Sequence, residues 1–370
     1  MIVVFGATGF TGRLCVEALQ DLGVKDVVLG GRSRSSLAEL SERTGFKYRV
    51  ADATNSQSLR ELVRGAQVVV SCAGPFARFG EPVVSAALHA KAHFLDTTGE
   101  QAYMMRVVER YHGAAVLAKV AVVNAHAFEF ALGSCAASLL AETHPELDTL
   151  HVFNRVQGVR NIAASRGTLK SGLGALAEPG YERKRGVLVP RGVSPLPRRA
   201  HFPDNGATEL AVPFPGGEAI HLIKQHPQLK NVSTNLVVPK GLAAPLMAAW
   251  SLKHVYKRVY ERGLLKDIEA RIDQGSEGPS DDVRRQQAFK VLAVGSVGGK
   301  HGTEQSVLVT GTDPYGITAR CIAIGAKWLV TKEAQNVGVV DTASAFGARE
   351  FLQALEPYGV RVSTPGSVRA

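Results

Sequence analysis

The chain has 370 residues, of which 45% are hydrophobic and 21% charged, and its formal net charge is +10. This length favours two domains over one core, and the composition is ordinary for a soluble globular protein. The positive charge indicates a solvated basic surface or an anionic substrate, cofactor or lipid headgroup. Nucleic acid is not expected, because no DNA-reading motif or interleaving of aromatic and basic residues is present.

The chain opens with a predicted strand, a glycine-rich turn and a helix. The run Ile2–Phe5 is fully apolar, as in a buried parallel strand, and a helical pattern is established by Arg13. Three glycines at a spacing of three separate the two elements. Such a turn exposes the free N–H groups of the helix to a pyrophosphate, which predicts a dinucleotide site rather than an ordinary glycine turn. The residues assigned to it are Gly6, Ala7, Thr8, Gly9, Phe10, Thr11 and Gly12.

Strands and helices alternate through the first third of the chain. Strands are predicted at Val27–Leu29, Tyr48–Val50, Val68–Ser71, Phe94–Asp96 and Val120–Val123. Helices are predicted at Ser36–Glu42, Ser58–Val63, Pro82–Ala90 (opened by its proline) and Tyr103–Tyr111. This alternation predicts an α/β domain over residues 1–128, with the doubly wound parallel sheet of the Rossmann fold. Ligands then bind at the carboxyl ends of the strands.

The end of the second strand predicts the cofactor. NAD enzymes usually place an acidic residue there, whereas this chain has Arg32, Ser33 and Arg34. Two guanidiniums and a hydroxyl suit the 2′-phosphate of NADP (NADPH) better, although a solvated basic turn is the alternative. Asp52 and Ala53 follow the third strand, where such folds contact the adenine. Small residues follow the fourth strand, where ribose and nicotinamide approach: Cys72, Ala73, Gly74 and Pro75.

The rhythm changes after residue 130 and predicts a second, α+β domain over residues 129–335, built on a mixed or antiparallel sheet. Its predicted elements are a helix at Phe130–Glu142 and strands at Thr149–Val156, Ala219–Ile223, Ser233–Val238, Phe289–Ser296 and Gln305–Thr310. Residues 178–206 are rich in Pro, Gly and Arg and are predicted to form a long irregular loop. Residues 336–370 are expected to return to the first domain, with a helix at Ala343–Leu355.

Residues 241–265 combine an apolar half with a basic, aromatic half, and the apolar run is too short to span a bilayer. They are interpreted as a core helix that continues into solvent, or as an interfacial helix or the rim of an apolar tunnel. The four cysteines (Cys15, Cys72, Cys135 and Cys321) form no CxxC pair. We therefore expect neither a metal site nor a disulfide framework, and cysteine usage suits a reducing cytosol. The predicted first strand at residue 2 leaves no room for a signal peptide.

Several motifs together resemble a known family. They are GATGFTG at 6–12, GGRS at 30–33, the block from Cys72 to Glu100, SRGT at 165–168, EGPS at 277–280 and TDPYG at 312–316. This set resembles the saccharopine dehydrogenase-like oxidoreductases, above all the branch that holds the trans-acting enoyl reductases. The resemblance implies a Rossmann domain, an inserted α+β domain, a C-terminal helix on the first domain and NADP-dependent redox chemistry. Arg166 replaces the middle glycine of the family's SGGT segment, and this departure lies near the expected substrate pocket.

Hydride transfer also needs an acid that protonates the developing anion. The candidates are His126, Glu129, Tyr103 and Tyr315, and each is also interpretable as a structural polar group. The leading hypothesis is a cytoplasmic NADP-dependent oxidoreductase that reduces a C=C or C=O bond of a hydrophobic substrate. Contact with a membrane surface or a carrier protein, and a homodimer, are compatible with it. One alternative is a saccharopine-type reductase that binds carboxylates through Arg155, Arg160 and Arg166; another is a non-catalytic NADP-binding sensor or adaptor.

Overall fold

The computed structural model of the protein describes residues 1–157, 164–178, 180–190, 197–204, 206–298 and 304–364. The first part of the chain forms strands that alternate with helices. In chain order these are β1 (Ile2–Phe5), α1 (Phe10–Asp21), β2 (Val27–Gly31), α2 (Arg34–Thr44), β3 (Lys47–Val50), α3 (Ser56–Leu62), β4 (Val68–Ser71), α4 (Phe76–His89), β5 (His93–Asp96), α5 (Gln101–Ala118) and β6 (Ala121–Val123).

These strands form one parallel sheet, together with a seventh strand from Gly338–Val340. The order across the sheet is 338–340, β6, β5, β4, β1, β2, β3. The strand order reverses between β1 and β4, which places the dinucleotide crevice at their carboxyl ends. The predicted Rossmann sheet is confirmed.

The remaining elements belong mostly to a second sheet. They are α6 (Phe128–Thr143), β7 (Thr149–Gln157), α7 (Arg166–Ala177), β8 (Tyr181–Lys184), β9 (Val187–Pro190), β10 (Arg198–Phe202), β11 (Ala207–Pro213), α8 (Glu218–Gln225), β12 (Asn231–Val237), α9 (Lys240–Ser251), α10 (Lys253–Glu261), α11 (Lys266–Gln274), α12 (Asp281–Gln286), β13 (Ala288–Ser296), β14 (Gln305–Thr312), α13 (Pro314–Thr331), β15 (Gly338–Val340), α14 (Thr342–Phe346), α15 (Ala348–Leu355) and β16 (Arg361–Ser363). Nine strands form this sheet, with the central order β10, β11, β12, β7, β13, β14, β16. The sheet is mixed, as predicted, because β7 pairs parallel with β12 and antiparallel with β13.

Four sequence predictions are wrong in detail. Residues 178–206 are not one irregular loop, because β8, β9 and β10 lie within them. β8 and β9 form a hairpin whose two-residue turn, Arg185 and Gly186, has positive φ at both positions. The predicted strand at Ala219–Ile223 is the helix α8. The helix predicted at Ala343–Leu355 is split into α14 and α15 at Gly347, whose φ is +78°.

The fourth error concerns the start of α4, which begins at Phe76 and contains Pro82 in its interior. The carboxylate of Glu100 accepts hydrogen bonds from the backbone nitrogens of Phe76 and Ala77 at 2.9 and 2.7 Å. This distant carboxylate supplies the cap that a local side chain normally gives. The sequence next to Phe76 therefore contains no capping signal, and Pro82 is the first local residue typical of a helix start.

One hydrophobic core connects the two sheets. It runs from α1 and one face of the first sheet through α6 and α13 to the inner face of β7, β13 and β14. Nearly every side chain of α6 is buried, as its apolar sequence requires. The cofactor domain and the second sheet are thus held in one orientation. The domain boundaries drawn at residues 128 and 335 stay predictions. In the part of the chain that is described, no helix has the length and apolar character needed to cross a membrane.

Candidate cofactor and active site

The glycine turn between β1 and α1 has the form that a pyrophosphate site requires. Gly6 has a φ of +82°, and a Cβ there would lie 2.9 Å from the backbone nitrogen of Ala73. A Cβ on Gly12 would lie 2.0 Å from the carbonyl oxygen of Gly6, so only glycine lets α1 begin this close to β1. A Cβ on Gly9 would have one close contact, with the Gly6 carbonyl oxygen at 3.3 Å. The other residues of the turn are the buried Ala7 and the partly exposed Thr8, Phe10 and Thr11.

The amino end of α1 is free for an anion. Among the described residues, no side chain caps this helix at Gly9. The first amide groups of a helix have no partner inside it, and together with the helix dipole they favour negative charge. An uncapped helix end beside a glycine turn therefore fits the pyrophosphate of a dinucleotide.

Arg32, Ser33 and Arg34 lie on the surface at the end of β2, and all three are exposed. Ser33 is the N-cap of α2, since its hydroxyl accepts from the backbone nitrogen of Ser36 at 3.3 Å. The two guanidiniums therefore flank a second helix end. This is a set of donors suited to a terminal phosphate, as the 2′-phosphate of NADP is.

Asp52 lies beside this cationic group, after β3. Its Oδ1 accepts hydrogen bonds from the backbone nitrogen and the hydroxyl of Thr54, at 2.8 and 2.7 Å. These bonds, with a smaller contribution from the Arg32 guanidinium, hold the pKa of Asp52 below its usual value. Ala53 is buried, so it can offer a ligand little more than its backbone.

Small residues line the end of β4. Cys72, Ala73 and Pro75 are partly exposed and Gly74 is exposed, with a cis peptide bond between Gly74 and Pro75. The hydroxyl of Ser71, at the last position of β4, is buried without a hydrogen-bond partner in the described residues. An orphaned hydroxyl and an open backbone at this position fit the ribose and nicotinamide half of the cofactor.

The second domain reaches this edge through α7. The hydroxyl of Ser171 donates to Oε1 of Glu100 at 2.8 Å, the same carboxylate that caps α4. Its oxygen also lies 3.3 Å from where a Cβ on Gly74 would stand. Glu100 was not among the predicted site residues, although it ends the motif block that carries the family resemblance. It links the β4 edge, α4 and α7.

Three separate segments of the second domain converge on the glycine turn. The ring of Phe10 packs edge-on against Tyr315, with the ring centroids 5.1 Å apart. A Cβ on Gly278 would overlap the Phe10 ring at 2.6 Å, so the EGP segment lies directly on this ring. The hydroxyl oxygen of Tyr315 accepts from the backbone nitrogen of Ser165 at 2.8 Å and lies 3.1 Å from the Thr168 hydroxyl. Tyr315 is therefore a contact of the cofactor turn.

Ion pairs join the segment around Glu277 to α1 and to α7. Arg13, in the first turn of α1, donates to the carbonyl oxygen of Thr8 at 2.6 Å and to the carboxylate of Glu277. Arg166 forms an ion pair with Glu277 at 3.0 Å, and its backbone nitrogen donates to the Glu277 carbonyl at 3.1 Å. Arg13 first, and Arg166 after it, hold the pKa of Glu277 below its usual value. The segment around Glu277 thus forms the rim of the cofactor cleft.

Two of the four predicted proton donors are buried structural groups. Tyr103 is fully buried, its hydroxyl donates to Asp96 at 3.2 Å, and burial raises its pKa well above the usual value. His126 is fully buried as well, with its ring nitrogens 2.7 Å from the Thr342 hydroxyl and 2.9 Å from the Cys321 carbonyl. Burial lowers the pKa of His126 to about 3, so the ring is neutral rather than imidazolium at neutral pH, and its Nε2 proton is donated to the Cys321 carbonyl. The structure does not support either residue as the acid.

Asp96 is the group that the sequence reading missed in this region. It ends β5, is fully buried and accepts hydrogen bonds from Thr98, Ala125, Asn124 and Tyr103. Burial raises its pKa to about 6, against the lowering effect of these bonds. Asp96 thus joins the ends of β5 and β6 and keeps the cofactor edge in one shape.

Glu129 is the one predicted donor whose environment suits proton transfer. It lies in the first turn of α6, just after β6, and is partly exposed. Burial raises its pKa to about 7. Glu218, on α8, is fully buried, and its pKa is also raised to about 7, chiefly by burial, with a smaller contribution from Glu129. The Glu218 Oε2 accepts from the Thr234 hydroxyl at 2.7 Å, and its Oε1 has no partner in the described residues.

Two of the three arginines considered as carboxylate ligands form ion pairs within the protein. Arg155 forms an ion pair with Glu209 at 3.0 Å, and Arg166 pairs with Glu277. Arg160 lies outside the described residues. Arg155 and Arg166 would therefore have to share or exchange these protein carboxylates to bind the carboxylate of an amino-acid substrate.

Comparison with known proteins shows that the first domain is similar to a family of NADP-binding domains. Residues 2–123 match the family model described as the saccharopine dehydrogenase NADP binding domain. This confirms the predicted NADP-binding domain and supports the family resemblance seen in the motifs. The matched residues cover the glycine turn, the arginines after β2 and the β4 and β5 edges.

Curated relatives extend the likeness. A "Lipid droplet localized protein" of Caenorhabditis elegans is 31% identical over 241 residues, 59% of this chain and 57% of its own length. A "Putative trans-acting enoyl reductase" of Mycobacterium tuberculosis is 34% identical over 134 residues, 35% of this chain and 32% of its own length. The matches thus span only about a third to somewhat over half of these relatives.

A solved structure resembles the whole chain in fold. Apo saccharopine dehydrogenase (L-Glu forming) from Saccharomyces cerevisiae superposes with a TM-score of 0.62. The superposition covers 98% of this chain and 99% of the yeast chain, at 13% identity. This similarity confirms the two-sheet fold and, at such low identity, shows nothing further.

Proposed function

We propose that this chain, whose residues 2–123 match the saccharopine dehydrogenase NADP-binding domain, is an oxidoreductase that reduces a C=C or C=O bond of a hydrophobic substrate with NADPH. One observation carries the proposal. The exposed guanidiniums of Arg32 and Arg34 lie on the same sheet edge as the uncapped amino end of α1. The first group suits a 2′-phosphate and the second a pyrophosphate, and NADPH carries both.

The chain's own residues then have distinct tasks. Bound NADPH would supply a hydride to the electrophilic carbon of the substrate. The amides of Phe10, Thr11 and Gly12 hold the pyrophosphate, and Arg32 holds the 2′-phosphate. The Phe10 ring, covered by Gly278 and Tyr315, keeps water from one side of the turn. Such fixed donors bind and orient the cofactor without rearrangement.

Glu129 is the proposed proton donor. Reduction of a conjugated C=C or a C=O bond leaves an anion that an acid must protonate. With a pKa raised to about 7 by burial, Glu129 keeps much of its proton at neutral pH. It lies at the amino end of α6, directly beyond the carboxyl end of β6, where the nicotinamide side of a Rossmann sheet is expected.

The substrate is proposed to be apolar and to come from a lipid or carrier environment. Met104, Ala125, Phe130 and Ile220 form a buried apolar cluster where α5, β6 and α8 meet, and Phe130 stacks on Phe214. The two relatives, one named as a putative enoyl reductase and one as a lipid-droplet protein, also favour an apolar substrate. A saccharopine-type substrate is less well supported, because Arg155 and Arg166 are already paired with carboxylates.

The test is turnover with labelled cofactor. The purified chain is incubated with NADPH that carries deuterium at the transferable position, together with 2-enoyl and 3-keto lipid thioesters. We expect oxidation of the cofactor and one deuterium in the reduced product for at least one apolar substrate. Turnover only with amino-acid and keto-acid pairs would contradict the proposed substrate class. Tight NADPH binding without turnover of any substrate would favour the non-catalytic alternative.

A further inference from the structure

A group of large apolar side chains is exposed to solvent on and between three short helices, α9, α10 and α11. Thirteen large apolar side chains are exposed in the described residues, and six of them fall between positions 242 and 268. We name these six the α9–α11 patch: Leu242, Leu246, Leu252, Val255, Leu264 and Ile268. Their exposed fractions run from 42% at Leu246 to 65% at Leu264. Apolar side chains grouped this densely on a surface mark an interaction site.

The patch faces away from the rest of the protein. On α10, the Tyr256 hydroxyl donates to the carbonyl of Leu173 in α7 at 2.9 Å. Tyr260, one turn later on the same face, places its hydroxyl 3.4 Å from where a Cβ on Gly174 would stand. Val255, one position before Tyr256, lies off this face and is 60% exposed. On α11, the described side chains include none that is buried.

Cations accompany the patch on the same helix faces. Arg258 and Arg262 follow Val255 at three and seven positions, which is one face of a helix. Arg271 follows Ile268 at three positions on α11. Over α9–α11 the described exposed charges are four cations and two acids, and Asp273, one of the acids, is paired with Lys170 of α7. They are Arg258, Arg262, Lys266, Arg271, Asp267 and Asp273.

We propose that the α9–α11 patch docks the protein onto an anionic lipid surface. The aliphatic side chains enter the boundary between headgroups and acyl chains, and the arginines pair with lipid phosphates or carboxylates. Apolar side chains followed by cations on one face are the pattern that such a surface selects. A two-fold dimer through the same patch would bring two surfaces with the same excess of positive charge together, which costs free energy.

Docking through the α9–α11 patch would bring the cofactor cleft near a lipid substrate, an argument that rests on the proposed function. α10 and α11 both pack on α7, and α7 reaches the cofactor edge through Ser171 and Glu100. A protein docked through the patch therefore holds its cleft close to the lipid from which an apolar substrate would come. The substrate then avoids transfer through water, which is unfavourable for an apolar chain.

Vesicle flotation tests the docking. The full chain, without cofactor or substrate, is mixed with phosphatidylcholine vesicles that contain or lack phosphatidylserine. We expect flotation with the anionic vesicles that is at least tenfold greater than with the neutral ones. The double variant V255E/L264E should reduce it at least tenfold, and R258Q/R262Q should reduce it and weaken its salt dependence. The matched control is L117E on α5, at a side chain that is 87% exposed and outside the patch, and it should float like the parent.

Thermal unfolding of each variant, followed by circular dichroism, verifies that the fold is intact and does not depend on the proposed cofactor site. Equal flotation with neutral and anionic vesicles, or none with either, would overturn the proposal. Loss of flotation in L117E would overturn it too. A dimer in sedimentation that V255E/L264E dissociates would assign the patch to a second copy instead. Since the assay contains neither cofactor nor substrate, its failure and the failure of the proposed reaction are separate results.

Discussion

Arg32 is the residue on which the choice of cofactor depends. It is exposed at the end of β2, with Arg34 and the amino end of α2 beside it. Arg32→Ala removes a bidentate donor that only the 2′-phosphate of NADPH would use. We expect NADPH to bind at least tenfold more weakly and NADH to bind as before, measured by nicotinamide fluorescence. Arg60→Ala, an exposed arginine in the last turn of α3, is the matched control. Equal losses for both cofactors would contradict the 2′-phosphate assignment.

Glu129 carries the proposed proton transfer. An acid with a pKa of about 7 is progressively deprotonated above that pH, so the rate should fall about tenfold per pH unit on the alkaline side. Glu129→Gln should reduce kcat by about 100-fold and leave NADPH affinity unchanged. Glu142→Gln, at the exposed far end of the same helix, should leave both unchanged. An unaltered pH profile in the Glu129 variant would exclude this residue as the acid.

Glu218 links pH to stability. Burial raises its pKa to about 7, so the folded state binds its proton more tightly than the unfolded chain does. The free energy of unfolding therefore decreases as pH rises from about 4.5 to about 7, by roughly 3 kcal/mol for this group. Glu218→Gln removes the titration and keeps an oxygen for Thr234. We expect the melting-temperature difference between pH 5 and pH 8 to shrink in this variant but not in Glu61→Gln, an exposed control. An unchanged difference would contradict the assignment.

The predicted donors show what residue type and position can and cannot indicate. His126, Tyr103, Glu129 and Tyr315 all lie at the end of a strand or the start of a helix near the cofactor edge, as the sequence indicated. Whether a ring faces the cleft or the core depends on packing against distant segments. His126 is enclosed by Thr342, Cys321 and the rings of Phe346 and Phe351. No pattern near residue 126 indicates those partners.

At the scale of elements, one carboxylate ties α4 to α7. The Glu100 carboxylate caps α4 and also accepts a hydrogen bond from the Ser171 hydroxyl of α7. Ser171→Ala should loosen α7 and cost about 1 kcal/mol of unfolding free energy, whereas Glu100→Ala should also fray α4 and cost about 2 kcal/mol or more. Hydrogen exchange of the Phe76 and Ala77 amides separates the two. Both amides should exchange faster in the Glu100 variant alone, and equal exchange in the two variants would contradict the capping role.

Strands and helices were predictable where local pattern and packing agree. The buried runs of the first sheet are apolar throughout, so β1 and β4 were predicted at their observed positions. At Ala219–Ile223 four apolar residues surround His221, a short pattern that suits a strand or a buried helix. The structure forms a helix in which Ala219, Ile220 and Leu222 are all buried. The hairpin of β8 and β9 was missed because its turn places a non-glycine residue, Arg185, at positive φ.

At the scale of the molecule, the cofactor cleft is built from both domains. Gly278 and Tyr315 both lie against the Phe10 ring, and the segment at Ser165 joins them through the Tyr315 hydroxyl. The family resemblance marked each of these segments, but only the fold brings them together. The glycine turn, the arginines after β2 and the Rossmann sheet could be predicted from local sequence. The contacts of Glu277 and Tyr315 at the cleft could not be predicted in this way, because they join residues more than 100 positions apart.

The most direct test of the account is titration of the intact chain with NADPH and with NADH, followed by nicotinamide fluorescence. The account predicts micromolar binding of NADPH and binding of NADH that is at least tenfold weaker, since only NADPH carries the phosphate that Arg32 and Arg34 would hold. Equal affinity for both would contradict the assignment of these arginines. The absence of binding by either cofactor would contradict the central claim that the glycine turn holds a dinucleotide.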